Sequence, residues 1–203
     1  MVEIRRGRRR KRSRLKELLL LLALKLEGPI GRYRLKEVLS LTEHEGLVRL
    51  MLEDLKNGGY ASSSRAGSEL TEDGERLLRT SLDGYGIVEI RDVDLEPLNV
   101  GPESVALHVR DRWIKVRSPI SMRDAAVRAG AAGGMVIRYR SGHLEVPSVY
   151  PDLSEEHPEL TKELLKLFDL SNGDTLIIGL SDDRWRALEG ALSAAGVLSG
   201  SAP

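Results

Sequence analysis

Residues 34–78 constrain the chain more than any other stretch, because four local signals follow one another in a fixed order. A short amphipathic run, RLKEVLSL, leads into Thr42 and Glu45, spaced as Thr-x-x-Glu ahead of an apolar segment. In that spacing the hydroxyl and the carboxylate each satisfy a backbone donor orphaned at a helix start, so a helix is predicted to begin at Thr42. Apolar residues then fall at Leu47, Val48, Met51, Leu52 and Leu55, the three-and-four spacing of a stripe that faces a core. Gly58-Gly59 supplies the left-handed residue that ends such a helix. Arg49, Glu53 and Lys56 fall largely off the stripe and are expected to look outward. A small polar hairpin follows, ASSSRAGSEL, with Arg65 as its only bulky cation. Leu70-Thr71 then leads into EDGERLL: a strand end, a capping threonine with Gly74 three residues on, and a closing helix.

Helix, capped helix, hairpin and closing helix in that order outline a winged helix-turn-helix, a module that docks one helix in the DNA major groove and the hairpin on the flanking backbone. Over roughly the first 80 residues the chain resembles the MarR-like and PadR-like regulators, whose wing runs into a similar Leu-Thr-x-x-Gly segment. The resemblance implies DNA binding, with Thr42, His44 and Arg49 on the reading helix and Arg65 on the wing.

The charge distribution qualifies that expectation. Residues 1–82 carry eighteen Lys/Arg against twelve Asp/Glu, a net of +6, and the remainder carries −6 because the whole chain is neutral. Nine of the eighteen cations lie in residues 1–16, so residues 17–82 carry nine cations and eleven anions. The module's own surface is therefore not basic, and the reading helix opens with Glu43 and Glu45. Since phosphate neutralisation supplies most non-specific affinity, the expected contacts move to the amino-terminal arm: Arg5, Arg6, Arg8, Arg9, Arg10, Lys11, Arg12 and Arg14. Against this stands the plain reading of a like-charged block as a solvated tail, and RNA contact by the same arm is a further alternative.

The arm runs into LKELLLLLALKLEG, in which Leu18–Leu24 is far below the ~20 residues that span a bilayer, and Lys25 and Glu27 interrupt it. It reads as a core helix, with Leu18, Leu21, Leu22 and Leu24 also available to a dimer interface. The organisation expected is an unstructured basic arm over 1–15, the winged helix over 16–82, and a second domain over 83–203. Cysteine and glutamine are absent and asparagine is limited to Asn57, Asn99 and Asn172, a composition that excludes disulfides and thiolate metal sites and suits a thermophile. The expected location is the cytoplasm.

The second domain reads as strands GIVEIRDVDLE, VALHVRD and WIKVR, helix MRDAAVRAGA, strands MVIRYR and HLEVPSV, helix ELTKELLKLFDL, strand DTLIIGL and helix DRWRALEGALSAAGVL. Hairpin turns near Asp111 and Ser141-Gly142 predict a mixed or antiparallel sheet with helices packed on it, so the fold class is α+β. The glycine-rich Arg128–Gly134 follows a helix and precedes a strand, the reverse of a phosphate-cradling loop, and reads as a helix terminator. The candidate ligand residues are Ser181 and Asp182, where an apolar strand ends before a helix that Ser181 is expected to cap, and Arg138 and Arg140, which alternation places on one face of a strand. Ser121, with Arg123 and Asp124, is expected at the cap of the preceding helix. His108, His143 and His157 lack any ligand spacing, so no metal is assigned, and no catalytic motif or cofactor fingerprint is present.

The segments RDAAVRAGAAGGMVIRYRSGHLEVPSVYPDL and GDTLIIGLSDDRWRALEGAL make the chain similar to an archaeal family of uncharacterised winged-helix proteins with a carboxy-terminal domain of unknown function. That resemblance implies a transcriptional regulator with a sensing or oligomerising second half. The partners expected are double-stranded DNA, a second copy of the chain and a small-molecule effector, with no membrane and no cofactor. Two other classes compete: a protein-docking winged-helix scaffold, and an enzyme with an appended winged helix.

Overall fold

The computed structural model describes residues 2–41, 43–98, 100–111 and 118–198, with side chains from Arg14 onward except at Glu45. The chain divides into two compact units, 1–82 and 83–203. Across the described residues it is an α+β protein with antiparallel sheets.

The first unit contains α1 (Val2–Leu26), α2 (Arg32–Val38), α3 (Glu45–Asn57), the hairpin β1 (Ala61–Ser63) and β2 (Ser68–Leu70), and α4 (Glu72–Tyr85), which begins in it. Here α1 starts at Val2, so the stretch expected to be an unstructured arm is helical backbone continuous with the leucine run; arginine, lysine and leucine are all good helix formers. From Leu18 to Leu24 every side chain is buried, the mark of a helix enclosed on all sides and not of one with a single apolar face. Lys16 is also buried, its Nζ donating to the Leu39 carbonyl at the end of α2.

The helix expected from Thr42 starts later than its sequence predicts. Thr42 lies outside the described residues, and α3 begins at Glu45 with His44 at the N-cap and no side-chain capping bond. Leu41, buried, anchors the preceding turn by accepting a 2.9 Å bond from the His44 amide, and α3 starts at Glu45, the last residue of the Thr-x-x-Glu box. At the other end Gly59, with φ +76°, closes α3 as expected, and the Tyr60 amide reaches back to the Leu55 carbonyl at 2.8 Å.

The Leu-Thr-x-x-Gly segment has a clear physical basis. Thr71 Oγ1 accepts from the Gly74 amide at 3.1 Å and donates to the Gly59 carbonyl at 2.6 Å, tying the start of α4 to the end of α3. A Cβ on Gly74 would lie 1.9 Å from the Tyr60 carbonyl oxygen, so only glycine allows α4 this approach. Thr71→Val, which keeps the shape and removes the hydroxyl, is expected to cost about 1 kcal/mol, measured by urea unfolding.

In the second unit five strands form one antiparallel sheet in the order β3-β4-β7-β5-β6: β3 (Ile87–Asp92), β4 (Glu103–Val109), β7 (Thr175–Ser181), β5 (Gly133–Arg140) and β6 (His143–Glu145). The central strand β7 is buried at all seven positions, which is why DTLIIGL is apolar without alternation. The strand expected over WIKVR falls on residues outside the described ones, and β4 has β3 on one edge and β7 on the other. On one face lie α5 (Pro119–Arg128) and α8 (Arg184–Leu198), seated closely where Gly179 meets the backbone of α8 and Gly134 meets Ala126. Against the other, α6 (Leu153–Glu156) and α7 (Pro158–Leu167) bring Leu153, Leu160, Leu164 and Phe168 onto Ala106, Ile137, Leu176 and Ile178.

Two caps differ from expectation. Ser118, not Ser121, caps α5, its hydroxyl accepting from the Ser121 amide at 3.2 Å; Pro119 at the first helical position fixes that boundary. Ser181 remains in β7, buried, while Asp183 accepts from the Arg186 amide at 2.9 Å before α8. The glycine-rich turn ends α5 as expected, at Gly130 with φ +102°.

Candidate functional site

In the first unit the α2–turn–α3 pair is followed by a hairpin stitched back to the segment before α2. Ile30 bridges Ser68 through two 2.9 Å backbone bonds, Ile30 amide to Ser68 carbonyl and the reverse. Ser63 and Ser68 hydroxyls lie 2.8 Å apart across the hairpin. Gly67, where a Cβ would come within 2.7 Å of Ile30 backbone atoms, permits this closeness. The result is a rigidly rooted wing that holds Arg65, exposed, at its tip and without an ion pair among the described residues.

Helix α3 presents a different surface. Val48, Leu52 and Leu55 are buried as expected, but Leu47 is 43% exposed and Leu50 53%. At ~100° per residue Leu47 stands about a quarter-turn from the centre of the buried stripe, which corrects its assignment to the core. Arg49 Nε is 2.8 Å from Glu53 Oε1, so its charge is compensated within the helix. Arg34 is likewise held by Glu27 at 2.9 Å and Glu37 at 3.3 Å, and Lys25 by Glu75 at 2.5 Å. His44 is exposed at the helix start, and Arg14 is exposed on α1. The side chains of Arg5, Arg6, Arg8, Arg9, Arg10, Lys11 and Arg12, together with Thr42, lie outside the described residues.

In the second unit the four candidate ligand residues do not converge. Arg138 pairs with Thr175 at the start of β7, whereas Ser181 ends that strand, so the arginines and the Ser181-Asp182 pair stand at opposite ends of the sheet. The Ser181 hydroxyl donates to Asp182 at 3.1 Å. Arg138 and Arg140 do share a face of β5, opposite Glu145 and His143 of β6. Arg138 is largely buried and bonded to Glu145, Nε to Oε2 at 2.9 Å, while Arg140 is exposed. Arg140 lines a recess of about 290 Å³ with Ser141, His143, Glu145, Pro151 and Asp152.

The three histidines go to separate places. His143 Nδ1 is 2.5 Å from Asp152 Oδ2, His157 meets the Tyr150 ring edge-on at 5.2 Å, and His108 is buried with Nε2 2.8 Å from Asp174 Oδ2. Asp174 also accepts from the Asp111 and Ser171 amides, each at 2.9 Å. Burial pushes the Asp174 carboxyl up, but the Ser171 amide, His108 and the Asp111 amide together hold it below the usual range. His108 and Asp174 are 66 residues apart, and no sequence spacing signals their pairing.

Residues 100–198 match a protein family described as a domain of unknown function (DUF4443). Among the solved structures that match is a hypothetical protein from the archaeon Pyrococcus horikoshii OT3. It is 26% identical, with 92% of this chain and 92% of that one covered at a TM-score of 0.68. No curated protein matches the sequence. No helix among the described residues is long and apolar enough to cross a membrane.

Proposed function

We propose that the chain is a DNA-binding transcriptional regulator whose first unit engages the duplex mainly through the phosphate backbone. The observation that carries this reading is the rooted wing holding an exposed Arg65, without an ion pair among the described residues, beside a helix-turn-helix pair. The eight cations from Arg5 to Arg14 supply the remaining positive charge, Lys16 being buried against Leu39. Since the Arg49 charge is compensated and α3 offers Leu47 and Leu50 outward, base reading through α3 would include apolar contacts, such as those with thymine methyl groups, beside His44 at the helix start. Two copies would bind a two-fold site, with the second unit sensing or pairing, in the cytoplasm of a heat-adapted archaeon.

The protein-docking reading has one observation of its own: Leu47 and Leu50 side by side on an exposed, charge-compensated helix face are the chemistry of a protein contact. Anisotropy of a labelled duplex, carrying the region upstream of the protein's own gene, separates the two. The slope of log affinity against log salt should be shallower by about 0.9 for Arg65→Ala and by about 4–5 when Arg5, Arg6, Arg8, Arg9 and Arg10 become alanine. Leu50→Ala should leave the slope unchanged. No saturable binding by the full chain at about 50 mM salt, where such contacts are strongest, would leave the docking reading in its place. Sedimentation with the same duplex reports whether two copies bind.

A further inference from the structure

The recess at the β5–β6 turn is built by local geometry. Ser141 with φ +52° and Gly142 with φ +88° form a tight turn, and the register pairs Arg140 with His143, placing both side chains on one face. The chain returns through the Val146–Tyr150 bridge to set Pro151 and Asp152 against that face.

The charges lining it are unequally committed. Glu145 is bonded to Arg138, and Asp152 accepts from the Ser154 amide at 2.8 Å and the Ser154 hydroxyl at 2.7 Å while also facing His143. These hydrogen bonds, the Ser154 hydroxyl first, hold the Asp152 carboxyl below its usual range. Both carboxylates therefore have partners, whereas Arg140 has no ion pair among the described residues. His143 Nδ1 lies 2.5 Å from an Asp152 carboxylate oxygen, which leaves Nε2 as the ring nitrogen available to a ligand. A guanidinium is a planar fork matched to an oxyanion, and a protonated imidazole adds one more donor.

We infer that this recess binds the phosphate group of a small molecule, with Arg140 as the principal contact and His143 Nε2 as the second. The site lies in the second unit and does not depend on the DNA-binding reading. Phosphate itself fills only part of the recess, so a phosphate ester of a small sugar is the fuller occupant.

The test is calorimetric titration of the full chain, without DNA. Inorganic phosphate is used first and ribose 5-phosphate second, with the His143 ring protons followed by NMR. Saturable binding of one phosphate per chain, a moving His143 signal, and affinity weakened at least about tenfold in Arg140→Ala but unchanged in Arg123→Ala support the site. Tighter binding of the sugar phosphate identifies the ester as the ligand class, and equal binding identifies free phosphate. Absence of saturable binding, equal binding by Arg140→Ala, or equal loss in Arg123→Ala, an exposed arginine on α5, overturns it. Circular dichroism of each variant verifies that it is folded, and the His143 signal in the native chain reports on the site without any substitution.

Discussion

Replacing Asp174 with alanine is expected to destabilise the second unit by about 3–5 kcal/mol, the order reached when several donors, at about 1–3 kcal/mol each, lose one buried acceptor together. The carboxylate is 1% exposed. It receives the Asp111 and Ser171 amides and faces His108, so its loss leaves two backbone donors and a buried ring nitrogen without their acceptor. Urea unfolding followed by tryptophan fluorescence isolates this effect, because Trp113 and Trp185 both lie in the second unit. A loss below about 1 kcal/mol, the net value of an ordinary hydrogen bond, would show that the carboxylate does not anchor these segments. The pH dependence has a definite sign. The folded-state pKa of Asp174 is held below the unfolded value, so its stabilisation is complete above the unfolded pKa and is lost as pH falls through the folded one. Asp174→Asn cannot titrate there. The stability gap between the native protein and Asp174→Asn should therefore narrow on acidification below about pH 4, near the ordinary Asp value.

The same pair marks where sequence reading stops. Elements set by neighbouring residues were legible: the Gly59 helix end, the Thr71 cap on the Gly74 amide and the Ser141-Gly142 turn each depend on contacts within a few positions, whereas the approach of Gly74 to the Tyr60 carbonyl is between segments and was not. Helix starts were less so, because several candidates compete over a few residues. At α3 the helix starts at Glu45 after a turn at buried Leu41, at α5 Pro119 selected Ser118, and at α8 Asp183 took the cap from Ser181. Alternation placed Arg138 and Arg140 on one face of β5, but it is silent on strand order. β7, late in the chain, inserts between β4 and β5, and that insertion sends Ser181 to the far end of the sheet from the arginines. The exposed Leu47 and Leu50 were also hidden, since an apolar residue in an amphipathic helix announces burial until its angle from the stripe is compared with the neighbouring elements.

Within the second unit two glycine substitutions should move stability in opposite directions. Gly179 sits in the central strand where an added Cβ would lie 1.9 Å from the Ala187 carbonyl oxygen and 2.8 Å from both the Ala187 carbonyl carbon and the Ala191 amide nitrogen. These are backbone atoms of α8, so no rotamer change relieves the clash; either the helix moves or the strand does. Leu188, Ala191 and Leu192 of α8 are fully buried or nearly so, so movement opens the core as well. Gly179→Ala is therefore expected to cost about 3 kcal/mol, the upper end of ordinary overpacking. Gly196 lies near the end of the same helix with nothing within 4 Å of its Cβ position and no positive φ. There alanine removes only the entropic penalty of glycine in a helix, and Gly196→Ala should raise stability by up to about 1 kcal/mol. Fluorescence-detected urea unfolding of both variants tests the close seating of α8. If Gly179→Ala were neutral while Gly196→Ala stabilised, α8 would have to ride higher on the sheet, and the small residues at Gly134 and Gly179 would lose their reason for standing side by side on adjacent strands.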